Sequence, residues 1–235
     1  MSLPGKENHW QTFWEQNMLT PAMSAAIARG YWDRLCGVIP VDRSWVGLDF
    51  GCGQGYLLRL MALSLKRMFG FDSSPTMVES SRKSSREYGN VSISRVTAPP
   101  KRGHNPHFDL IVVNSCIQYL NDQELKGWLR WWLGNLAAGG SLVLSDLFPA
   151  AGSRWSNFQE TVCWGWREGC LGSVLHEFFL MLRYGYFREV HYGRQPEELL
   201  SLIDECGGQG YLLPRNLDFL STRYSVIARI GSIGF

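Results

Sequence analysis

A chain of 235 residues, 45% of them apolar, is long enough to bury one sizeable core. Its formal net charge of +2 gives no electrostatic footprint for nucleic acid, and no run of about 18 or more apolar residues reads as a membrane span. The six cysteines (Cys36, Cys52, Cys116, Cys163, Cys170 and Cys206) form no C-x-x-C pair and no zinc spacing with histidine, so they read as free thiols of a reducing cytoplasm.

The opening Met1–Asn8 lacks an apolar stretch and reads as a lead segment, not a signal peptide. Residues 8–36 read as helical, with Thr20 capping a second helix that Pro21 opens and Pro40 closing the region. Trp45–Phe50 is a short apolar strand. Leu57, Leu58, Leu60, Met61 and Leu65 recur at helical spacing within Gln54–Lys66. Met68–Asp72 is a second strand, and Ser74-Pro75 starts a helix to about Tyr88. Val91–Val96 alternates as a third strand, and Phe108–Asn114 is a continuous apolar run, as a buried parallel strand requires. Asp122–Leu136 follows as a helix that Ala138-Gly139-Gly140 stops, and Ser141–Asp146 is a fifth strand. Residues 150–192 break the rhythm with aromatic-rich helices. A helix Pro196–Cys206 and strands Tyr211–Leu213 and Thr222–Ile230 complete the chain. Outside that break strand and helix alternate, which predicts a doubly wound α/β fold with a mostly parallel sheet. The expected organisation is an N-terminal helical cover over 1–44 and a main domain over 45–235, carrying a helical insertion at about 150–192.

Between the first strand and its helix stands Asp49-Phe50-Gly51-Cys52-Gly53-Gln54-Gly55. Glycine tolerates positive φ and leaves no Cβ in a ligand's way, so this turn suits a nucleotide-like molecule. A dinucleotide fingerprint would be G-x-G-x-x-G; here the third glycine comes one residue early and an acidic residue precedes the first. Asp72 ends the second strand, where a carboxylate accepts hydrogen bonds from ribose hydroxyls.

Gly70-Phe71-Asp72-Ser73-Ser74-Pro75-Thr76-Met77 resembles the second motif of class I S-adenosylmethionine-dependent methyltransferases. Phe108–Asn114 resembles their fourth-strand motif, and Leu136–Leu144 the loop into their fifth strand. The resemblance is good over residues 45–147 and weak over 196–230. It implies a seven-stranded sheet whose last strand is antiparallel, S-adenosylmethionine as cofactor and S-adenosylhomocysteine as product. It also implies that Gly51, Cys52, Gly53 and Gly55 meet the methionine moiety, that Asp49 orients that turn or contacts the ammonium through water, and that Asp72 holds the ribose. Ser73 and Met77 then lie beside the adenosine, and Asn114 and Ser115 near the methionyl end. Many relatives carry an acidic residue after the third strand for the adenine amino group. This chain has Thr97-Ala98 there, so Thr97 or a backbone group would substitute.

Methyl transfer is an in-line displacement that depends mainly on alignment and exclusion of water, so it imposes no obligatory catalytic motif. A hydroxyl or ammonium acceptor benefits from a base, and His176 and His191, both in the insertion, are the candidates. Some catechol-type relatives bind Mg²⁺ with carboxylates after the fourth and fifth strands. Here Asn114 and Asp146 stand there, and one carboxylate is thin coordination, so no metal is expected. The insertion is apolar around more than one face over 171–187, which either buries it fully or lines an apolar pocket. Trp10, Trp14, Tyr119, Trp155, Trp164, Phe178 and Arg183 are the candidate acceptor contacts. Arg154, Arg167, Arg188 and Arg194 are further anchors for an acidic group. The expected activity is methyl transfer to an O, N or C atom of an apolar or aromatic small molecule, with no nucleic-acid partner and no membrane span. A peptide or protein amine methyltransferase and a non-catalytic S-adenosylmethionine-binding module are the alternatives. The sequence leaves the oligomeric state open.

Overall fold

The structure is a computed structural model that describes residues 20–100, 107–149, 154–184 and 192–231, with backbone alone at 154–156 and 181–184. Its elements in chain order are α1 (Pro21–Val38), β1 (Val46–Phe50), α2 (Tyr56–Ser64), β2 (Arg67–Asp72), α3 (Pro75–Ser84), β3 (Val91–Arg95) and β4 (Phe108–Asn114). After a 3₁₀ turn at Ile117–Tyr119 come α4 (Asp122–Gly134), β5 (Leu136–Leu147), α5 (Arg154–Arg167), α6 (Leu171–Tyr184), α7 (Pro196–Glu205), β6 (Gly208–Leu212) and β7 (Tyr224–Ile230).

The seven strands lie in the order β3-β2-β1-β4-β5-β7-β6. Six are parallel, and β7 inserts antiparallel between β5 and β6. The chain winds outward from β1 in both directions, so the crevice at the carboxyl ends of β1 and β4 is the switch point where open α/β sheets bind ligands. Register places the candidates along that edge: Phe50 pairs with Phe71 and Val113, and Asn114 with Ser145.

Each face of the sheet buries its own core. On one side Leu48, Phe71, Phe108, Ile111 and Leu144 pack against α4 and α7. Trp128 and Trp132 of α4 close edge-on to Phe50 at centroid distances of 4.6 and 4.9 Å. On the other side Leu110, Val112 and Val143 meet Tyr31 and Leu35 of α1 and Leu58 and Met61 of α2. A third cluster, with Met23 and Ala26 of α1, Trp164 of α5, and Cys170 and Val174, fastens the insertion to the N-terminal helix.

Two boundaries differ from expectation. The run Ala138-Gly139-Gly140 does not stop a helix, because α4 has already ended at Gly134 and β5 begins at Leu136. Asn135 caps that end, bonding Trp131 O through its side-chain amide at 2.7 Å, and its own carbonyl accepts Phe108 N at 2.8 Å. The glycines instead make an irregularity in β5 opposite Phe108–Leu110. A Cβ on Gly140 would lie 2.7 Å from Phe108 O, so only glycine allows this approach. Helix α3 stops at Ser84 rather than near Tyr88, and Asn90 beyond it turns back to bond Ala62 O and Leu65 O at the end of α2, at 2.8 and 3.0 Å.

Candidate active site

The turn after β1 is built from backbone. Gly51 N and Cys52 N both donate to Phe71 O, at 2.7 and 3.0 Å, and Gly55 N closes the turn on Cys52 O at 2.8 Å. Gly51, Gly53 and Gly55 all have positive φ, at 78°, 51° and 78°. A Cβ on Gly51 would strike Cys116 Sγ and one on Gly55 would strike Ser81 Oγ, whereas a Cβ on Gly53 would meet nothing within 4 Å. Two of the glycines therefore let protein pack on protein, and Gly53 leaves open space on the ligand side. Cys52 is buried beneath the turn with its thiol toward Ser81 Oγ at 3.9 Å, so its side chain serves the protein interior.

Asp72 is held for a task. Gly53 N donates to its Oδ2 and Ser74 N to its Oδ1, each at 2.9 Å, and these bonds fix the plane of the carboxylate. Ser74 also caps α3, accepting Met77 N at 3.2 Å. Met77 is buried and Ser73 half-buried next to it, while Thr97 and Ala98 are exposed beyond β3.

Asp49 is 3% exposed, and its Oδ2 has no hydrogen-bond partner. Burial pushes its carboxyl up to about 7, the neighbouring Asp72 pushes the same way, and the backbone N–H of Leu58 resists. An orphaned buried carboxylate oxygen calls for a hydrogen-bond donor, best a cation. The ammonium and sulfonium of S-adenosylmethionine meet that requirement, and the residues present fit this cofactor.

Beyond β4 and β5 lies a polar cluster that the sequence reading largely missed. Ser115 and Asp146, at the ends of adjacent strands, are the two non-glycine residues of positive φ among the described residues, at 52° and 57°. Ser115 Oγ donates to Asp146 Oδ2, and the Arg223 guanidinium pairs with the same oxygen while lying 3.9 Å over the Phe148 ring. Asp146 N donates to Asn216 Oδ1 at 3.3 Å. Tyr31 OH donates to Ser145 Oγ at 2.7 Å, which donates in turn to Asn114 Oδ1 at 3.0 Å. Gln118 Nε2 donates to Ser115 O at 2.6 Å. Behind this group Asp218 is pushed up to about 7, by burial first and Asp146 second, while Phe219 N–H, Arg223 and Arg34 pull down. A strand end next to a cofactor turn, combined with positive φ at a residue that is not glycine, is a signal visible only in three dimensions.

The acceptor candidates are scattered. Trp164 is buried and stacks on Phe219 at 4.4 Å, so it packs the insertion onto the loop before β7. Phe178 packs on Phe158 at 4.4 Å. Tyr119 is half-buried on the 3₁₀ turn after β4. His176 projects exposed from α6, away from the burial that tunes a base. Trp10, Trp14 and His191 lie outside the described residues, as do the side chains of Trp155 and Arg183. Arg194 is not an anchor for an acidic ligand. It is buried and bonds Asp122 Oδ1 at 2.8 Å, Leu120 O at 2.7 Å, and Ile117 O and Tyr192 O at 3.3 and 3.2 Å, which pins the chain leaving the insertion to the 3₁₀ turn. Among the described residues no three His, Cys, Asp or Glu side chains gather as a metal site, and no helix is long and apolar enough to cross a membrane.

The sheet order, the glycine turn and the carboxylate ending β2 define a class I, Rossmann-like methyltransferase fold. Residues 48–142 match the family model described as a methyltransferase domain. Solved structures share the fold at low identity. A chain from the complex of the Haloferax volcanii Trm112 methyltransferase activator with a protein assigned as a methyltransferase is 15% identical with a TM-score of 0.63, covering 97% of this chain and 99% of that one. Phosphoethanolamine N-methyltransferase 1 of Haemonchus contortus, in complex with phosphoethanolamine and S-adenosylhomocysteine, is 12% identical with a TM-score of 0.63, covering 97% of this chain but 49% of that one. Magnesium protoporphyrin IX methyltransferase of Synechocystis, with the same product bound, is 15% identical with a TM-score of 0.54, covering 94% and 91%. No curated protein matches the chain in sequence.

Proposed function

We propose that the chain moves a methyl group from S-adenosylmethionine to an O or N atom, or an activated C atom, of a small apolar or aromatic acceptor. When bound, the cofactor supplies an electrophilic methyl on sulfonium sulfur. Asp72 takes the ribose hydroxyls, Asp49 the ammonium directly or through water, and Gly51, Gly53 and Gly55 the methionine backbone. Ser73 and Met77 would lie beside the adenosine, Thr97 and Ala98 near the adenine, and Asn114 and Ser115 near the methionyl end.

The observation that carries the acceptor class is where the insertion is fastened. Ser221 N donates to Glu160 Oε2 at 2.7 Å, and Thr222 Oγ1 bonds Asn157 Oδ1, so α5 sits on the loop that delivers Arg223 to Asp146. Glu177 of α6 accepts Thr20 N at 3.2 Å at the start of α1, which lacks a side-chain cap of its own. Thr20 in turn lines a cleft of about 370 Å³ with Gln54 and Tyr56 of the glycine turn. An aromatic-rich cover tied to both rims of the carboxyl edge suits a small, apolar acceptor held out of water. In this reading residues 1–44 and about 150–192 form the cover and 45–235 the catalytic domain. Two of the similar structures are named for small acceptors, phosphoethanolamine and magnesium protoporphyrin IX.

The test is transfer from tritium-methyl S-adenosylmethionine into fractionated cell extract. Label in low-molecular-mass metabolites supports the proposal. Label in protein replaces it with an amine methyltransferase acting on polypeptides, and binding without transfer reduces the chain to a cofactor sensor.

A further inference from the structure

Asp146 presents an unexplained feature. It is 4% exposed, and its Oδ1 has no hydrogen-bond partner, although Oδ2 holds both Ser115 and Arg223. Its backbone is held at φ 57°, which an aspartate adopts only at a cost of about 1–3 kcal/mol. The side-chain oxygen of Gln118, which grips Ser115 from the other side, is likewise buried and unpartnered. These two orphans are acceptors beside Ser115, at the carboxyl edge of β4 and β5; the third orphan of the cluster, Arg223 Nε, is a donor on the guanidinium that already pairs with Asp146 Oδ2. A buried acceptor without a donor costs stability, and two of them beside a strained strand end point to a missing X–H group.

Resting on the reading above, we infer that Asp146 Oδ1 receives the N–H or O–H of the methyl acceptor and takes up its proton, with Gln118 Oε1 aligning the same group. The acceptor is therefore an amine or a hydroxyl rather than a carbon nucleophile. A lone pair on the acceptor's N or O forms the bond to the methyl carbon as the S–CH₃ bond breaks and its electrons return to sulfur. The proton on that N or O passes to Asp146 Oδ1, so a carboxylate becomes a carboxylic acid and no other reactant is needed. Arg223 and Ser115 both hold Oδ2 and so fix the plane of the carboxylate. Asp146 is thus the base that His176 and His191 were expected to provide.

The backbone conformation makes the experiment clean. Glycine and asparagine both accept positive φ, so Asp146→Gly and Asp146→Asn keep the strand end. Tritium-methyl transfer is measured in the extract fraction that the wild type labels, beside calorimetry with S-adenosylhomocysteine and thermal melts with formate. Both variants are expected to bind S-adenosylhomocysteine within threefold of wild type and to lose about 100-fold or more in turnover. Formate, refilling the hole, is expected to raise the melting temperature and turnover of Asp146→Gly alone, the latter by about tenfold. An aspartate that merely braces Arg223 would leave Asp146→Asn more active than Asp146→Gly and formate without effect on turnover, which overturns the inference. Wild-type protein that labels no metabolite overturns the small-molecule reading itself, a separate result.

Discussion

The backbone N–H of Gly53 donates to Asp72 Oδ2 at 2.9 Å, tying the turn after β1 to the carboxylate that ends β2. The two halves of the proposed cofactor site are therefore one object: the carboxylate proposed to take the ribose also shapes the glycine turn. Asp72→Ala would remove that proposed ribose ligand and the acceptor for two backbone N–H groups together. We expect the dissociation constant for S-adenosylhomocysteine to rise about 100-fold or more, while Asp72→Asn, which keeps one acceptor oxygen, loses less. Calorimetry with the three proteins checks the order.

The glycines of the turn separate steric from ligand effects. Gly51→Ala drives a Cβ into Cys116 Sγ at positive φ, and destabilisation of about 2 kcal/mol or more is expected. A second substitution, Cys116→Ala, should restore the packing part and leave the backbone part. Gly53→Ala has room in the protein, so its thermal stability should fall by only about 1 kcal/mol while cofactor affinity falls at least tenfold. Melting curves and product binding on the same samples distinguish the two. Equal loss of affinity and stability in both variants would mean that the turn faces protein on all sides.

The fold was legible because its signals are local. The apolar run Phe108–Asn114, the Ser74-Pro75 start of α3 and the glycine turn each state their own conformation. The run Ala138–Gly140 misled because glycine marks both helix ends and strand irregularities, and the deciding contact, Gly140 against Phe108 O, joins residues distant in sequence. Most of the residues proposed for the cofactor lie in the same local segments, the turn after β1 and the end of β2. The cluster around Asp146 was not legible in this way, since Tyr31 reaches it from α1 and Arg223 and Asn216 from the connection between β6 and β7, and a strained backbone leaves no mark in composition. Arg194 looked like a surface anchor because nothing in its neighbours reveals that four carbonyl and carboxylate groups surround it.

Asp49 should make cofactor binding depend on pH. Its folded value near 7 lies above the ordinary 3.8, so the native protein holds a proton there that the unfolded chain releases. The associated stability is present below about pH 4 and is lost as pH rises to about 7, above which the buried charge is a full burden on the cofactor-free protein. Asp49→Asn mimics the protonated form. It should raise the melting temperature of the cofactor-free protein by about 3 °C or more at pH 8 and change it little near pH 4. A cationic cofactor favours the ionised carboxylate, so wild-type binding should release protons at pH 6 and almost none at pH 8.5. Calorimetry in buffers of different ionisation enthalpy counts them. Proton release that persists in Asp49→Asn would place the titrating group elsewhere.

Arg194 should prove to be a brace. Its guanidinium, buried beneath Tyr192, joins Asp122 at the start of α4 to the carbonyls of Ile117 and Leu120, and its own carbonyl accepts Tyr224 OH at 2.8 Å. Removing it leaves the buried Ile117 carbonyl and the part-buried carbonyls of Leu120 and Tyr192 without this donor, a loss of about 2 kcal/mol. Arg194→Ala should therefore melt about 5 °C or more below wild type. Arg194→Lys should recover only part of this, because an ammonium cannot span the same fork of acceptors. At temperatures where the variants are folded, S-adenosylhomocysteine affinity and the acceptor's KM should stay within about threefold of wild type. A KM that rises tenfold in a fully folded Arg194→Lys would return this arginine to the acceptor site.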